Sequence, residues 1–548
     1  MPEGGGEGFL RFHSMGALAW TVLASDDLYL LTPSATGVSG NMSKGQWRYP
    51  RGYLRLVSTV TAFAAILTPL DSTIVSVSLP AIARGLRASY LETIWVPMGY
   101  LVSLSAFLLL FGRLGDVRGR RRVFTTGFLV FTVATVMCAL SMSGAELDAW
   151  RVVQGMGAAM ILANSGAIIT DAYPPWERGK AFGYWTLAVY TGTTVGPVLG
   201  GAITTLRAIA GVPSWRWVFL VTVPLALTGY LFSQAYLKES VGQPGQPVDA
   251  RGGALAAVGV AASLFGLTAA SFEGWSPPYL ALTVVGVALI AAFVVWEARL
   301  GPLALLDVGL FRSVQFSMGN LAALLNYAGY FFVPFFLSYY MIVVLGMRPI
   351  EASLALLSLS LAMVVLAPIS GRLSDRVGAR PLATAGMLLI ALGLLLLIPL
   401  GLRATLADVT WRALIIGVGM GLFSSPNSAS VMSAAPRERL AVASATLSLM
   451  RFYGQSLSLA LASSLAAVYI PRPVLVSVFT GLPVSAAASA LDFIRGVRLV
   501  YEVMVMLVIV GAIASAMRGR ERRARPSGVG LQCGDFITCP RPSRQGLA

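Results

Sequence analysis

The chain is short of the residues on which most soluble and catalytic chemistry depends. It has one histidine, His13, three cysteines, and only 12% charged residues in 548. Cys138, Cys533 and Cys539 form no C-x-x-C pair, so neither a disulfide framework nor a zinc site is indicated. With imidazole confined to the N-terminal segment, proton handling inside an apolar interior falls to carboxylates. There is no G-x-x-x-x-G-K-[ST] string to drive an ATP-powered pump. Metal-ligand clusters, nucleophile motifs and a soluble signalling domain are also missing, so no enzyme, metal or cofactor is expected and a receptor is disfavoured. The shortage of charge excludes an ordinary soluble domain, in which about 25% of residues are charged.

What the chain does have is apolar length. Hydrophobic residues make up 56% of it and the mean hydropathy is +0.75. They fall into runs of membrane-spanning size, about 20 residues each. The runs are continuous and do not alternate in period two, which argues against a β-barrel. The expected class is an all-α polytopic membrane protein. Fourteen spans are expected, near 54–82, 93–112, 123–143, 149–171, 181–205, 216–236, 252–271, 278–297, 316–344, 351–371, 381–401, 409–430, 440–468 and 498–517. The net charge of +16 would suggest nucleic acid in a soluble protein. Here arginines collect in alternate loops, which marks those loops as cytoplasmic and places both termini on that side. No nucleic-acid partner is expected.

The string "GRLGDVRGRRR" (112–122) has a partner in "GRLSDRVGAR" (371–380). Each follows the second span of a six-span set. The repeat assigns residues 46–240 to one six-helix bundle and 311–520 to another, with two extra spans in 241–310. Residues 1–45 read as an N-terminal extension, with Met42 a candidate for the true start, and 521–548 as a cytoplasmic tail. Two parallel six-helix halves with a site at their interface is a secondary-transporter plan.

The motifs then resemble a family. "GRLGDVRGRRR" is similar to the loop 2–3 motif of the major facilitator superfamily. "LDSTIVSVSLPAI" (70–82), "RVVQGMGAAM" (151–160), "GTTVGPVLGG" (192–201) and "WRWVF" (215–219) resemble motifs of its fourteen-span drug:proton antiporters, in order and at matching spacing. The second basic string departs, with Ala379 where the first has Arg120. The resemblance implies the major facilitator fold and proton-coupled multidrug efflux at the cell membrane. It also implies a cytoplasmic gating loop built on Gly112, Asp116, Gly119 and Arg120. Gating through Gly192, Gly196, Pro197, Gly200 and Gly201 is implied as well.

The residues themselves point the same way. Asp71 lies 16 residues after Arg55 and 13 before Arg84, near the middle of its span. A carboxylate there is costly unless it meets water, a partner or a proton. It is either a permanent ion-pair partner or a group that binds a proton and, when ionised, a cationic substrate. Arg151 is a candidate partner, or an interface anchor. Arg451, within the thirteenth span, either ties helices together or faces the substrate. Gly192, Gly196 and Gly200 form a helix face that allows close approach. "NYAGYFFVPFFLSYY" (326–340) offers cation–π surface or lipid-facing bulk. Its candidates are Tyr327, Phe331 and Tyr339. Asn164, Gln154, Asn320 and Asn326 could hydrogen-bond within a cavity.

The expected function is proton-coupled efflux of amphipathic, often cationic, small molecules. Transport of one specific metabolite such as a siderophore, sugar or amino acid is the alternative within the fold. Small-molecule substrate, protons and membrane lipids are the expected partners of a functional monomer.

Overall fold

The computed structural model describes residues 49–519, except 175–176, 207, 241–247, 274–275, 302–303, 437–438, 472 and 475–486. The expected extension (1–45) and tail (521–548), with His13, Cys533 and Cys539, lie outside the described residues. Almost everything described is helical. The one pair of strands is a two-residue hairpin, Ala208–Ile209 antiparallel to Val212–Pro213.

The first set comprises α1 (Arg51–Leu86), α2 (Tyr90–Arg118), α3 (Arg120–Leu140), α4 (Gly144–Ala172), α5 (Arg178–Thr205), α6 (Ser214–Leu220) and α7 (Val223–Tyr236). Then come α8 (Ala250–Glu273) and α9 (Pro277–Leu300). The second set comprises α10 (Val314–Tyr330), α11 (Val333–Tyr339), α12 (Pro349–Val377), α13 (Ala379–Leu397), α14 (Leu406–Ser433), α15 (Leu440–Tyr469) and α16 (Ala487–Ala516). Among the described residues, twelve helical stretches are long and apolar enough to cross a membrane. Helices α5 and α15 fall outside that group. At 28 and 30 residues they still exceed the length a bilayer requires, and their glycines, serines and threonines lower their hydropathy. With α6–α7 and α10–α11 each counted as one broken span, these stretches follow the fourteen expected runs in order.

Helix starts are capped in the loops. Ser89 Oγ accepts from Glu92 N at 3.3 Å, and Glu92 Oε2 accepts from Ser89 N at 2.7 Å. Thr405 and Asp408 repeat this reciprocal arrangement at the start of α14.

The two sets pack alike. Helix α1 lies on α5 as α10 lies on α15, α2 on α4 as α12 on α14, and α3 on α4 as α13 on α14. Both basic strings turn at a glycine with positive φ, Gly119 at 113° and Gly378 at 98°. We call the arginine-rich end the inner end, following the expected topology. The bundles meet where α5 packs on α12, α2 on α15 and α11 on α1. Of the two extra spans, α9 is peripheral. Helix α8 is not: it lies in the seam against both α2 and α15, where Ser464 Oγ donates to Leu267 O at 2.7 Å. An apolar run reads the same whether it faces protein or lipid. Large apolar side chains such as Leu231, Val284, Val365 and Val510 are exposed on the outside, as a lipid-facing surface requires.

Candidate functional site

Asp71 is 20 residues from the inner end of α1 and 15 from its outer end. It is completely buried, as is Arg151, and Arg151 Nη1 donates to Asp71 Oδ2 at 2.5 Å. The same nitrogen donates to Gln154 Oε1 at 2.5 Å, and Arg151 Nε to the Val96 carbonyl at 2.9 Å. Gln154 Nε2 in turn donates to Asp71 Oδ1 at 2.9 Å and to Thr135 Oγ1 at 2.7 Å. The Arg151 guanidinium also stands 4.6 Å from the Tyr100 ring centre. Four helices, α1 to α4, thus converge on one carboxylate.

All of these partners belong to the first bundle, so Asp71 faces the bundle interior and not the seam between bundles. Burying two charges is tolerable only because each is paired and hydrogen-bonded. Arg151 Nη2 still has no hydrogen-bond partner among the described residues. One turn outward on α4, Asp148 has a buried Oδ1 with no hydrogen-bond partner among the described residues.

The glycine stripe of α5 packs directly on the helix that carries Asp71. A Cβ at Gly192 would run into the carbonyl of Ile66, one at Gly196 into Thr73 and Leu70, and one at Gly200 into Ile74. The contacts therefore bracket Asp71 on both sides. Gly201 points the other way and packs on Ser353 and Pro349 of α12. Ser353 Oγ donates to the carbonyl of Pro197 at 2.7 Å. Helix α5 is thus wedged between the Asp71 helix and the second bundle, near their outer ends.

At the inner end, Asp116 accepts from Arg120 Nε at 2.9 Å and Nη2 at 2.7 Å. The following arginines turn to the end of α7. Arg121 N donates to Glu239 Oε1 at 3.0 Å, Arg122 stands 3.6 Å from Glu239, and Arg120 N donates to Ser240 O at 2.9 Å. The left-handed φ of Gly119 allows this turn, and a Cβ there would meet the Glu239 carboxylate. Gly112 faces only Ala163, at an ordinary 3.6 Å, whereas Gly115 lies against Asn164.

Near mid-span, the seam between bundles carries a second polar group. Tyr190 of α5 hydrogen-bonds to Ser424 of α14 at 2.9 Å across the bundles. Arg451 Nη2 of α15 donates to Ser428 Oγ at 2.5 Å, and the guanidinium lies 6.0 Å from the Tyr327 ring.

A family model for the Major Facilitator Superfamily matches residues 61–459 and 319–526. The chain belongs to the Major Facilitator Superfamily. It is 28% identical to the riboflavin transporter RibZ of Clostridioides difficile, over 75% of this chain and 87% of that one. It is also 28% identical to the multidrug resistance protein Stp of Mycobacterium tuberculosis, over 76% of each. A solved structure of a bacterial homolog of the human lysosomal transporter Spinster superposes with a TM-score of 0.62 at 17% identity, covering 86% of this chain and 98% of that one. The protein is therefore a multi-pass membrane transporter of small molecules, not an enzyme.

Within this superfamily fold the expected site residues separate by position. Asp71 and Arg151 come together, while Arg451 and Tyr327 form a group apart from them. Asn164 does not line the seam: it donates to the Phe111 carbonyl at 3.2 Å and ties α4 to α2. Phe331 meets the Tyr330 ring edge-on and the Phe335 ring at a tilt, at the break in the ninth span. Tyr339 is fully buried near the outer closure, with Leu79, Ile94 and Phe336 around it. Asn326 is fully buried with neither amide atom hydrogen-bonded among the described residues. Sequence reasoning missed Thr135, Val96 and Glu239. Thr135 and Glu239 are ordinary residues whose partners are set by packing, and Val96 contributes only a carbonyl. For Glu239 the one available signal was its place at the end of the sixth span, on the same inner side as the arginine string.

Proposed function

We propose that this transporter exports amphipathic small molecules across the cell membrane in exchange for protons. It works by alternating access, as a monomer in the lipid bilayer with both termini cytoplasmic. The observation that carries this reading is the buried Asp71–Arg151 pair on a helix clamped by the α5 glycines. A proton on Asp71 cancels the charge that Arg151 was paired with. The arginine is then a buried cation whose hydrogen bonds all go to neutral groups, which raises the energy of this packing. Relief requires α1 and α4 to shift. Helix α5 packs on α1 through its glycines and on Ser353 through Gly201, so the shift reaches the outer bundle contact. Proton binding and gate opening are thereby coupled through one helix. The relative named for multidrug resistance supports efflux. The relative named for riboflavin favours the second reading, transport of one specific metabolite.

The inner loop contributes a latch. With Asp116 paired to Arg120 and Arg121 held by Glu239, the loop is anchored to its own bundle. Closing the cytoplasmic side requires those arginines to exchange partners with the second bundle.

The test uses inverted membrane vesicles with an imposed pH gradient. Substrate addition should release protons with the wild type and not with Asp71→Asn. Coupled transport undiminished by Asp71→Asn defeats the proposal.

A further inference from the structure

The seam between the bundles has a charge of its own, and it is positive. Asp71 cannot supply a negative charge there, since its hydrogen bonds all go to the first bundle and none of its surface is exposed. Arg451 is different. It lies 11 residues from the inner end of α15 and is half-buried. Among the described residues it makes no ion pair. Its one hydrogen bond is to Ser428 Oγ, a neutral partner, and its buried Nε has none. An arginine at this depth without a carboxylate is costly, so its presence there points to a ligand.

The surroundings fit one. Tyr327 of α10 lies beside the guanidinium, and Tyr190 of α5 is an electrostatic neighbour of both Arg451 and Tyr327. Tyr190 is 12 residues from the inner end of α5 and Tyr327 13 from that of α10, matching the depth of Arg451. Tyr190 belongs to the first bundle and the others to the second, so the group spans the seam. Ser424 and Ser428 are on one face of α14, at i and i+4.

We infer that Arg451, with Tyr327 and Tyr190 around it, binds an acidic group, a carboxylate or acidic phenol, on an aromatic substrate. The planar guanidinium matches a carboxylate in a two-bonded fork. The tyrosines supply aromatic surface and hydroxyls. This reading rests on the proposed transport function and reverses the cationic preference expected from the sequence. That preference depended on Asp71 reaching the substrate.

The experiment compares three ligands of one shape in the full-length protein reconstituted in nanodiscs: 2-naphthoate, 2-naphthamide and 2-naphthylmethylamine. Calorimetric titration should show naphthoate binding at least about tenfold more tightly than the amine, the effect of one charge-assisted contact. Arg451→Gln should erase that ratio, while Arg451→Lys keeps part of it. A merely structural arginine predicts lower thermal stability with an unchanged ratio, which overturns the inference. Equal or tighter binding of the amine by the wild type, or no binding of naphthoate, overturns it too. Transport of the same compounds separates the two readings. Gradient-driven export of the amine alone sinks the acid preference and leaves antiport standing, whereas acid-selective binding without gradient-driven movement of any compound sinks antiport alone.

Discussion

Asp71 and Arg151 are mutually dependent because each is the other's only ion-pair partner among the described residues. Removing one of them leaves the other charged and buried, a defect of about 3–5 kcal/mol. Asp71→Asn is therefore expected to lower unfolding stability, while Asp71→Asn combined with Arg151→Gln recovers part of the loss. Thermal unfolding of the purified single and double variants measures this, and a double variant less stable than either single one refutes the pairing. Part of this centre was legible in the sequence, because a lone Asp and a lone Arg in apolar helices must each find company. The hydrogen bonds of Gln154 to Asp71 and Thr135 were not, since they depend on how α1, α3 and α4 rotate against one another. Arg451 and Asp71 look alike in sequence, each a single charge in an apolar span. Only the packing assigns one to a bundle interior and the other to the seam.

At the scale of elements, the inner loop and the α5 stripe show that glycine has two distinct uses here. Gly119 is required by its backbone, with φ at 113° and the Glu239 carboxylate where a Cβ would stand. Gly119→Ala should destabilise the protein by about 1–3 kcal/mol and slow turnover, since the loop loses its hold on α7. Gly112→Ala, in the same motif, should be neutral, because the added methyl finds Ala163 at van der Waals distance. Unfolding temperature and transport rate, read side by side for both variants, check the contrast. Equal effects would mean that the motif acts through composition and not through this turn. Both glycines had been expected in the gating loop from the resemblance, and the sequence could not rank them, since a positive φ leaves no mark on the residue type. The repeat of the string did locate the second bundle, as Gly378 turns the chain in the same way.

For the whole molecule, the state described is one in which the bundles touch at their outer ends. Gly201 rests on Ser353 and Pro349, and Leu79 of α1 is buried with Phe335, Phe336 and Tyr339 beside it. The all-helical two-bundle plan was legible from span length, repeat and arginine placement. Which end is closed was not, because both states use the same helices and differ by only a few contacts. The contact at Gly201 gives a handle on that choice. A Cβ there would already stand 2.8 Å from the Ser353 Cβ, so a leucine can be housed only if the outer ends part. Gly201→Leu should therefore populate the state open at that end. The readout is Leu79→Cys, in a background with Cys533 and Cys539 replaced by serine and the buried Cys138 retained. Its reaction with a membrane-impermeant maleimide added from outside should speed up several-fold when Gly201→Leu is present. Gly183→Leu is the control on the same helix, since nothing lies within 4 Å of that position. Acceleration by Gly201→Leu alone ties the outer closure to this contact. No change, or the same acceleration by both leucines, would show that the closure is held elsewhere and that α5 does not transmit the Asp71 signal through Gly201.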